Sequence, residues 1–242
     1  MFPHIYPIAS GAITVCLGDQ IQETIHEQVL DLAAMMISFP FQGYRESVPA
    51  YASLAVYFDP VKVQKSYNCA SPTQWVAAYV QAQYEQLQAV GQGTRPAGAC
   101  HTIPVCYQAE MAPDMAEVTE RLQCSAEEVI RWHTSCWYRV YMIGFQPGFP
   151  YMGILPSALH LSRKDRPVRR VPPGSVAIAR DQTGIYPGAS PGGWYVIGRT
   201  PVLLFDVNRQ PPALLRPGDR VQMQPVSPET FEALTAGRWN ST

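Results

Sequence analysis

The sequence predicts an α+β chain, with a small α+β domain over residues 1–90 and a β-barrel domain over residues 100–242. Three observations carry this prediction. Helical and strand periodicities alternate up to residue 90. A break rich in glycine and small residues, GQGTRPAGA at 91–99, then interrupts the pattern. After Tyr138 the chain becomes short strands punctuated by turns, and 14 of its 23 prolines lie from Pro147 to Pro228, too dense for long helices or regular central strands.

Taken in order, Ala12 to Leu17 reads as a short apolar strand. Ile21, Ile25, Leu32 and Met36 then recur at helical spacing through IQETIHEQVLDLAAMMI. Tyr51 to Phe58 is rich in β-formers and stops at Asp59-Pro60, a turn signal. A second helix opens at Ser71-Pro72, a cap followed by proline in the first turn, and runs through Trp75, Tyr79 and Leu87 to Gly91. Beyond the break, HTIPVCY reads as a strand. Two short helices follow, one near Asp114 to Leu122 and one opening on the capping box Ser125-x-x-Glu128. The remaining strands are YRVYMIGF, SVAIA, GIYP, WYVIG, PVLLFD and DRVQM, whose spacing builds a barrel or a sandwich with long loops.

Composition narrows the function. The chain is 47% hydrophobic and 15% charged, which fits a buried core and a surface partly given over to a partner. Its net charge of -1 hides an asymmetry: residues 1–138 hold 6 Lys+Arg against 13 Asp+Glu, and residues 139–242 hold 12 against 6. Opposed halves fit attracting domains or a basic pocket for a small anion. The basic residues interleave with Pro and Gly, and the helix pair is acidic at Asp114, Glu117, Glu120 and Glu127, so nucleic acid is not the expected partner. The six cysteines form no C-x-x-C pair, and His101 beside Cys100 does not make a metal site. With no basic start or apolar run at MFPHIYPIAS and no stretch of ~20 apolar residues, the expectation is reduced thiols in a cytoplasmic protein with no membrane partner.

Four loop segments stand out: GFQPGFPYMG (144–153), RRVPPGS (169–175), QTGIYP (182–187) and SPGGWYVIGRT (190–200). Glycine lets backbone approach a ligand, proline stiffens the loop, and Phe149, Tyr151, Tyr186 and Trp194 supply rigid walls. The same segments also suit tight barrel corners. A shared pocket with an arginine at its edge is the functional expectation.

In this succession the motifs GFQPGFPYMG, RRVPPGSVAIA, QTGIYP and SPGGWYVIGRTP-x-x-LFD resemble the family of the B subunit of the ATP-dependent bacterial 5-oxoprolinase. That family, also known as allophanate hydrolase subunit 1, includes a Kip-type inhibitor of a histidine kinase. It is also similar to subdomains C and D of the urea carboxylase carboxyltransferase domain. The likeness extends through PAYASLAVYFDP and AEEVIRWHTSCWYRVYMIGF, so it covers nearly the whole chain. It implies a small α+β domain followed by a cyclophilin-like β-barrel, acting with a homologous C subunit and a separate A subunit to convert 5-oxoproline to glutamate. Histidine kinase inhibition is the alternative, and allophanate- or urea-related amide hydrolysis and prolyl isomerase activity are weaker ones. Where the family has Y-G-G-E-Y-G-P-D, this chain reads YQAEMAPD at 107–114, keeping Glu110, Pro113 and Asp114 and losing three glycines.

The resemblance pairs Glu110 and His133 with the family's glutamate and histidine, and such a pair suits acid/base work on a lactam. A core or helix-terminal histidine is the other reading of His133. A small carboxylate lactam activated by phosphate needs cations, for which Arg169, Arg170 and Arg199 are the candidates, or else plain surface arginines. Gln182, Thr183, Tyr186 and Ser190 are polar loop residues able to orient an amide. No Ser or Cys has a paired His motif, and no G-x-x-x-x-G-K-[ST] loop locates ATP, so the nucleotide is expected between subunits or on a partner.

Overall fold

A computed structural model of the chain describes residues 3–90, 95–108 and 110–237. Residues 91–94 of the glycine-rich break lie outside the described residues. The chain divides into two compact units, Met1–Ala97 and Gly98–Thr242.

The first unit contains β1 (His4–Ala9), β2 (Ala12–Cys16), α1 (Glu23–Ser38), β3 (Tyr44–Pro49), β4 (Ser53–Phe58), α2 (Pro60–Tyr67) and α3 (Pro72–Val90). Its strands form one antiparallel sheet in the order β1-β2-β4-β3. Alternation decides which side packs: Ile13 and Val15 pair across to Val56 and Leu54, and these four side chains are buried against Val29, Leu32 and Met36 of α1 and Val76 and Val80 of α3. One expectation fails here, and two strands go beyond the sequence reading. Asp59-Pro60 does not close a turn but opens α2, with the Asp59 carboxylate accepting the N–H groups of Val61 and Lys62 and proline in the first turn. The two edge strands, β1 and β3, escape the sequence reading because none of their residues is buried and they show no apolar alternation.

The second unit runs through β5 (Cys100–Val105), α4 (Met115–Leu122), α5 (Ala126–Thr134), β6 (Tyr138–Ile143), β7 (Pro150–Gly153), β8 (Val168–Val171), β9 (Ser175–Ala179), β10 (Gln182–Ile185), β11 (Ser190–Gly192), β12 (Tyr195–Arg199), β13 (Arg220–Pro225) and α6 (Pro228–Gly237). The capping box forms as expected: Ser125 Oγ accepts the Glu128 N–H and the Glu128 carboxylate accepts the Ser125 N–H. Seven strands make a sheet in the order β12-β9-β10-β7-β6-β13-β5. Its two outer strands are then joined where Cys106 and Arg199 exchange both backbone bonds, at 2.8 and 2.9 Å. That bridge gives the sheet its barrel-like form and removes much of its exposed edge. A two-stranded ribbon, β8 with β11, completes the unit.

The expected strand PVLLFD is not one. Only Phe205 makes an isolated bridge, to Ala213, while the Arg209 guanidinium binds the carbonyls of Leu203, Leu204, Pro211 and Pro212. A side chain satisfies this backbone where a ladder would otherwise have to.

The period of two sorts the side chains of the barrel-like sheet between two clusters. Val176 and Ile178 of β9 and Tyr195 and Ile197 of β12 join the large core, which α4 and α5 enter with Val118 and Val129. Ala177, Ala179 and Val196 point the other way, into a smaller cluster with Phe149, Val171, Tyr186 and Trp194.

Candidate functional site

The smaller cluster is the floor of a pocket. Alanines at 177 and 179 and glycine at 184 keep that face of the sheet low. A Cβ on Gly184 would stand 2.7 Å from Cζ of Phe149. On this floor four rings meet edge to face around Phe149, at 4.8 Å from Tyr151, 5.1 Å from Tyr186, 5.7 Å from Trp194 and 5.6 Å from Phe145. Such pairs add about 0.5–1.5 kcal/mol each beyond their buried area, which fixes the ring orientations. Gly192 admits the Tyr186 hydroxyl, with which a Cβ at that position would collide. The resulting cavity, of about 270 Å³, is lined by these five rings together with Arg163, Lys164, Pro167, Pro191, Gly192 and Gly193.

The three aromatic loops therefore converge on one pocket. Its cations are different from the expected ones. Arg169 and Arg170 are exposed on β8 and do not line it. Arg199 closes the barrel-like sheet with its backbone, and its Nε donates to the Pro173 carbonyl at 2.9 Å, so its side chain braces a loop. The residues at the mouth are Arg163 and Lys164, which no sequence signal separates from their basic neighbours. They are drawn across by the Lys164 N–H, which donates to the Gly193 carbonyl at 2.9 Å. The Lys164 ammonium is held by Asp114 at 2.6 Å, both side chains being largely buried. Asp114 also accepts the Val196 N–H at 2.7 Å, tying the start of α4 to β12. Arg163 is exposed and lies 6.0 Å from the Trp194 ring centroid; among the described residues it makes no ion pair.

The expected acid/base pair is not assembled. His133 is fully buried, with Nδ1 2.7 Å from the Tyr107 hydroxyl and Nε2 2.9 Å from Thr183 Oγ1. Since Thr183 Oγ1 donates to the Ala177 carbonyl, it accepts from His133 Nε2–H, which leaves Nδ1 to accept from Tyr107. Burial pushes the His133 pKa down to about 3, so the ring is neutral. Glu110 is exposed, and the two groups share no surface. Thr183 likewise belongs to this buried chain and not to the pocket. Adjacent positions of β10 face opposite ways, Thr183 toward His133 and Gly184 toward Phe149, so the sheet itself separates the histidine from the pocket.

Of the remaining polar candidates, Gln182 sits in the β10 ladder opposite Gly153 and Ala179, away from the lining. Ser190 is behind the rim, 3.5 Å from the Gln146 amide nitrogen. Tyr186 is the polar group that does reach the cavity. Burial pushes its pKa up to about 12. The phenol thus keeps its proton and can donate it. Among the described residues no cluster of His, Cys, Asp or Glu could hold a metal ion, and no helix is long and apolar enough to cross a membrane.

Known proteins are similar to this chain over most of its length. The 5-oxoprolinase B subunit of Bacillus subtilis (strain 168) is 38% identical over 231 residues, 95% of each chain. The protein of the same name from Escherichia coli O157:H7 is 44% identical over 220 residues, 91% of this chain and 94% of that one. The crystal structure of TTHA0988 superposes with a TM-score of 0.75 at 34% identity over 89% of this chain, which spans only 40% of that longer protein. Kluyveromyces lactis urea carboxylase shares the fold at a TM-score of 0.73 and 17% identity, over 96% of this chain and 22% of its own. Residues 3–215 match the carboxyltransferase domain, subdomain C and D, and the chain belongs to that family.

Proposed function

We propose that this chain is the B subunit of an ATP-dependent 5-oxoprolinase, working with the A and C subunits to open 5-oxoproline to glutamate, and that the aromatic pocket holds the substrate ring. The observation that carries the reading is the match, over more than nine-tenths of both chains, to two proteins named as the B subunit of 5-oxoprolinase. The pocket supports it chemically. A lactam ring is flat and small, the cavity is small and walled by rings, and a protonated phenol and a guanidinium stand at its polar points.

The same lining argues that the chain is not autonomous. Among the described residues no thiol, serine hydroxyl, histidine or carboxylate lines the cavity, and the buried histidine lies across the sheet, so attack on the lactam carbon needs groups from a partner. In this reading ATP binds on that partner or between subunits.

Reconstitution tests the reading. The purified chain should hydrolyse no ATP in the presence of 5-oxoproline, and addition of the A and C subunits should yield glutamate and ADP together. Full turnover by the chain alone, or a complete complex indifferent to 5-oxoproline, would overturn it.

A further inference from the structure

We propose that Asp114 is the positioning residue of the pocket mouth: through Lys164 it holds residues 162–167 across the opening, so that a ligand is retained by a side chain it never touches. This rests on the reading of the aromatic pocket as the ligand site.

Residues 162–167 form a strap between two anchors. At one end Leu161 and Arg180 exchange backbone bonds, and at the other Val168 enters the ribbon opposite Gly192 of β11. The strap supplies Arg163, Lys164 and Pro167 to the cavity lining. All of its residues are exposed except Lys164. Among the described residues Lys164 also makes both of the strap's hydrogen bonds to the rest of the unit: its N–H donates to the Gly193 carbonyl, and its ammonium donates to Asp114 at 2.6 Å. A segment that buries so little opens readily once one hold is lost.

Three features set this ion pair apart from a surface salt bridge. The Lys164 and Asp114 side chains are only 11% and 15% exposed, so solvent screens little of their attraction. The Lys164 ammonium lies 5.4 Å from the ring centroid of the buried Tyr195, which steers it further. Asp114 also forgoes the ordinary task of its position, since it stands at the N-cap of α4 and its side chain makes no cap bond to the helix. Its carboxylate is turned elsewhere, with Oδ1 on Lys164 and Oδ2 on the Val196 N–H. Its own N–H donates to the Val196 carbonyl at 3.1 Å, which fixes the aspartate on β12 close to Trp194. One side chain therefore sets the mouth against the ring wall, and yet it does not itself line the cavity. Apparent affinity falls with the fraction of molecules whose mouth is in place, about tenfold when that fraction is about a tenth.

Asp114→Asn alone strands a buried ammonium and can unfold the unit, so the test uses the double variant Asp114→Asn/Lys164→Met, which removes both charges. Trypsin should cut it after Arg163 at least about tenfold faster than the wild type, because cleavage follows the open population. The cut after Arg131 of α5 should keep its wild-type rate, which reports a folded unit. Lys164→Arg, which keeps the ion pair, should retain the slow cut. In titrations of the full-length chain with 5-oxoproline, the double variant should bind about tenfold or more weakly. In the complex reconstituted with the A and C subunits its KM should rise to match, with kcat held within about twofold.

A wild-type cutting rate after Arg163 in the double variant overturns the proposal, as does wild-type affinity or a fall in kcat at constant KM. Fast cutting in Lys164→Arg would show that the ion pair is not the hold. Faster cutting at Arg131 as well as at Arg163 would make the pair a general support of the fold and also overturns it. If the wild-type chain binds no 5-oxoproline, the substrate-site reading falls by itself, and the cutting rates still decide whether Asp114 holds the strap.

Discussion

Unfolded, the imidazole of His133 takes up a proton near pH 6.5, whereas in the fold burial holds its pKa down at about 3. Between those values the unfolded chain binds the extra proton, so acid favours unfolding. The neutral-histidine contribution is complete above pH 6.5 and is lost progressively as pH falls toward 3. At pH 5 the loss is about 2 kcal/mol. Replacing His133 by Gln keeps a donor and an acceptor between Tyr107 and Thr183 and removes the titration. Urea unfolding of His133→Gln should therefore show a drop in stability between pH 7 and pH 5 that is smaller than the wild-type drop by about 2 kcal/mol. Equal drops in the two proteins would mean that His133 is protonated in the fold. A residue that looks catalytic in the sequence is here part of the core, and its chemistry appears as acid sensitivity.

Gly184 shows the same sorting at the level of the strand. A Cβ there would meet Phe149 Cζ at 2.7 Å and the Pro150 carbonyl at 3.0 Å, both fixed by neighbours. Gly184→Ala should cost about 1–3 kcal/mol and weaken binding of a ring ligand, because the rings that pack on Phe149 must shift with it. At Gly188 the nearest atom is the flexible end of Gln146, and Gly188→Ala should change stability by no more than about 0.5 kcal/mol. Urea midpoints of the two variants decide the matter, and equal values would remove the floor assigned to β10. The elements themselves were legible in proportion to how strongly one face is buried. Strands β2, β4 and β9 could be read from their apolar residues, and α5 from its capping box. β1 and β3 could not, since little of either is buried. Asp59-Pro60 was ambiguous because the same pair suits a turn and a helix start. The pocket rings were readable because they sit in loops of glycine and proline. Its arginine was not, since Arg163 differs from Arg169 and Arg170 only in the tertiary bond that brings its neighbour Lys164 to Gly193.

Each unit holds a core of its own: one cluster spans residues between Ile13 and Leu87, and the others span residues between Ile103 and Met223. Two closed cores in one chain should behave as two cooperative units. The second is secured at its beginning by Asp219, whose carboxylate accepts the N–H groups of Ala99 and Arg216 and lies 3.3 Å from His101 Nε2. Burial alone would raise the Asp219 pKa, but the bonds from His101 and the two backbone groups outweigh it and hold the carboxyl below its ordinary value. A fragment of residues 98–242 keeps all of these contacts. It also keeps every residue that lines the pocket, from Phe145 to Trp194. Expressed alone, the fragment should unfold in a single cooperative transition and bind 5-oxoproline with the affinity of the full chain, within about threefold. Calorimetry and the same ligand titration measure both. A fragment that melts without cooperativity, or that folds and yet loses the ligand, would contradict the independence of this unit.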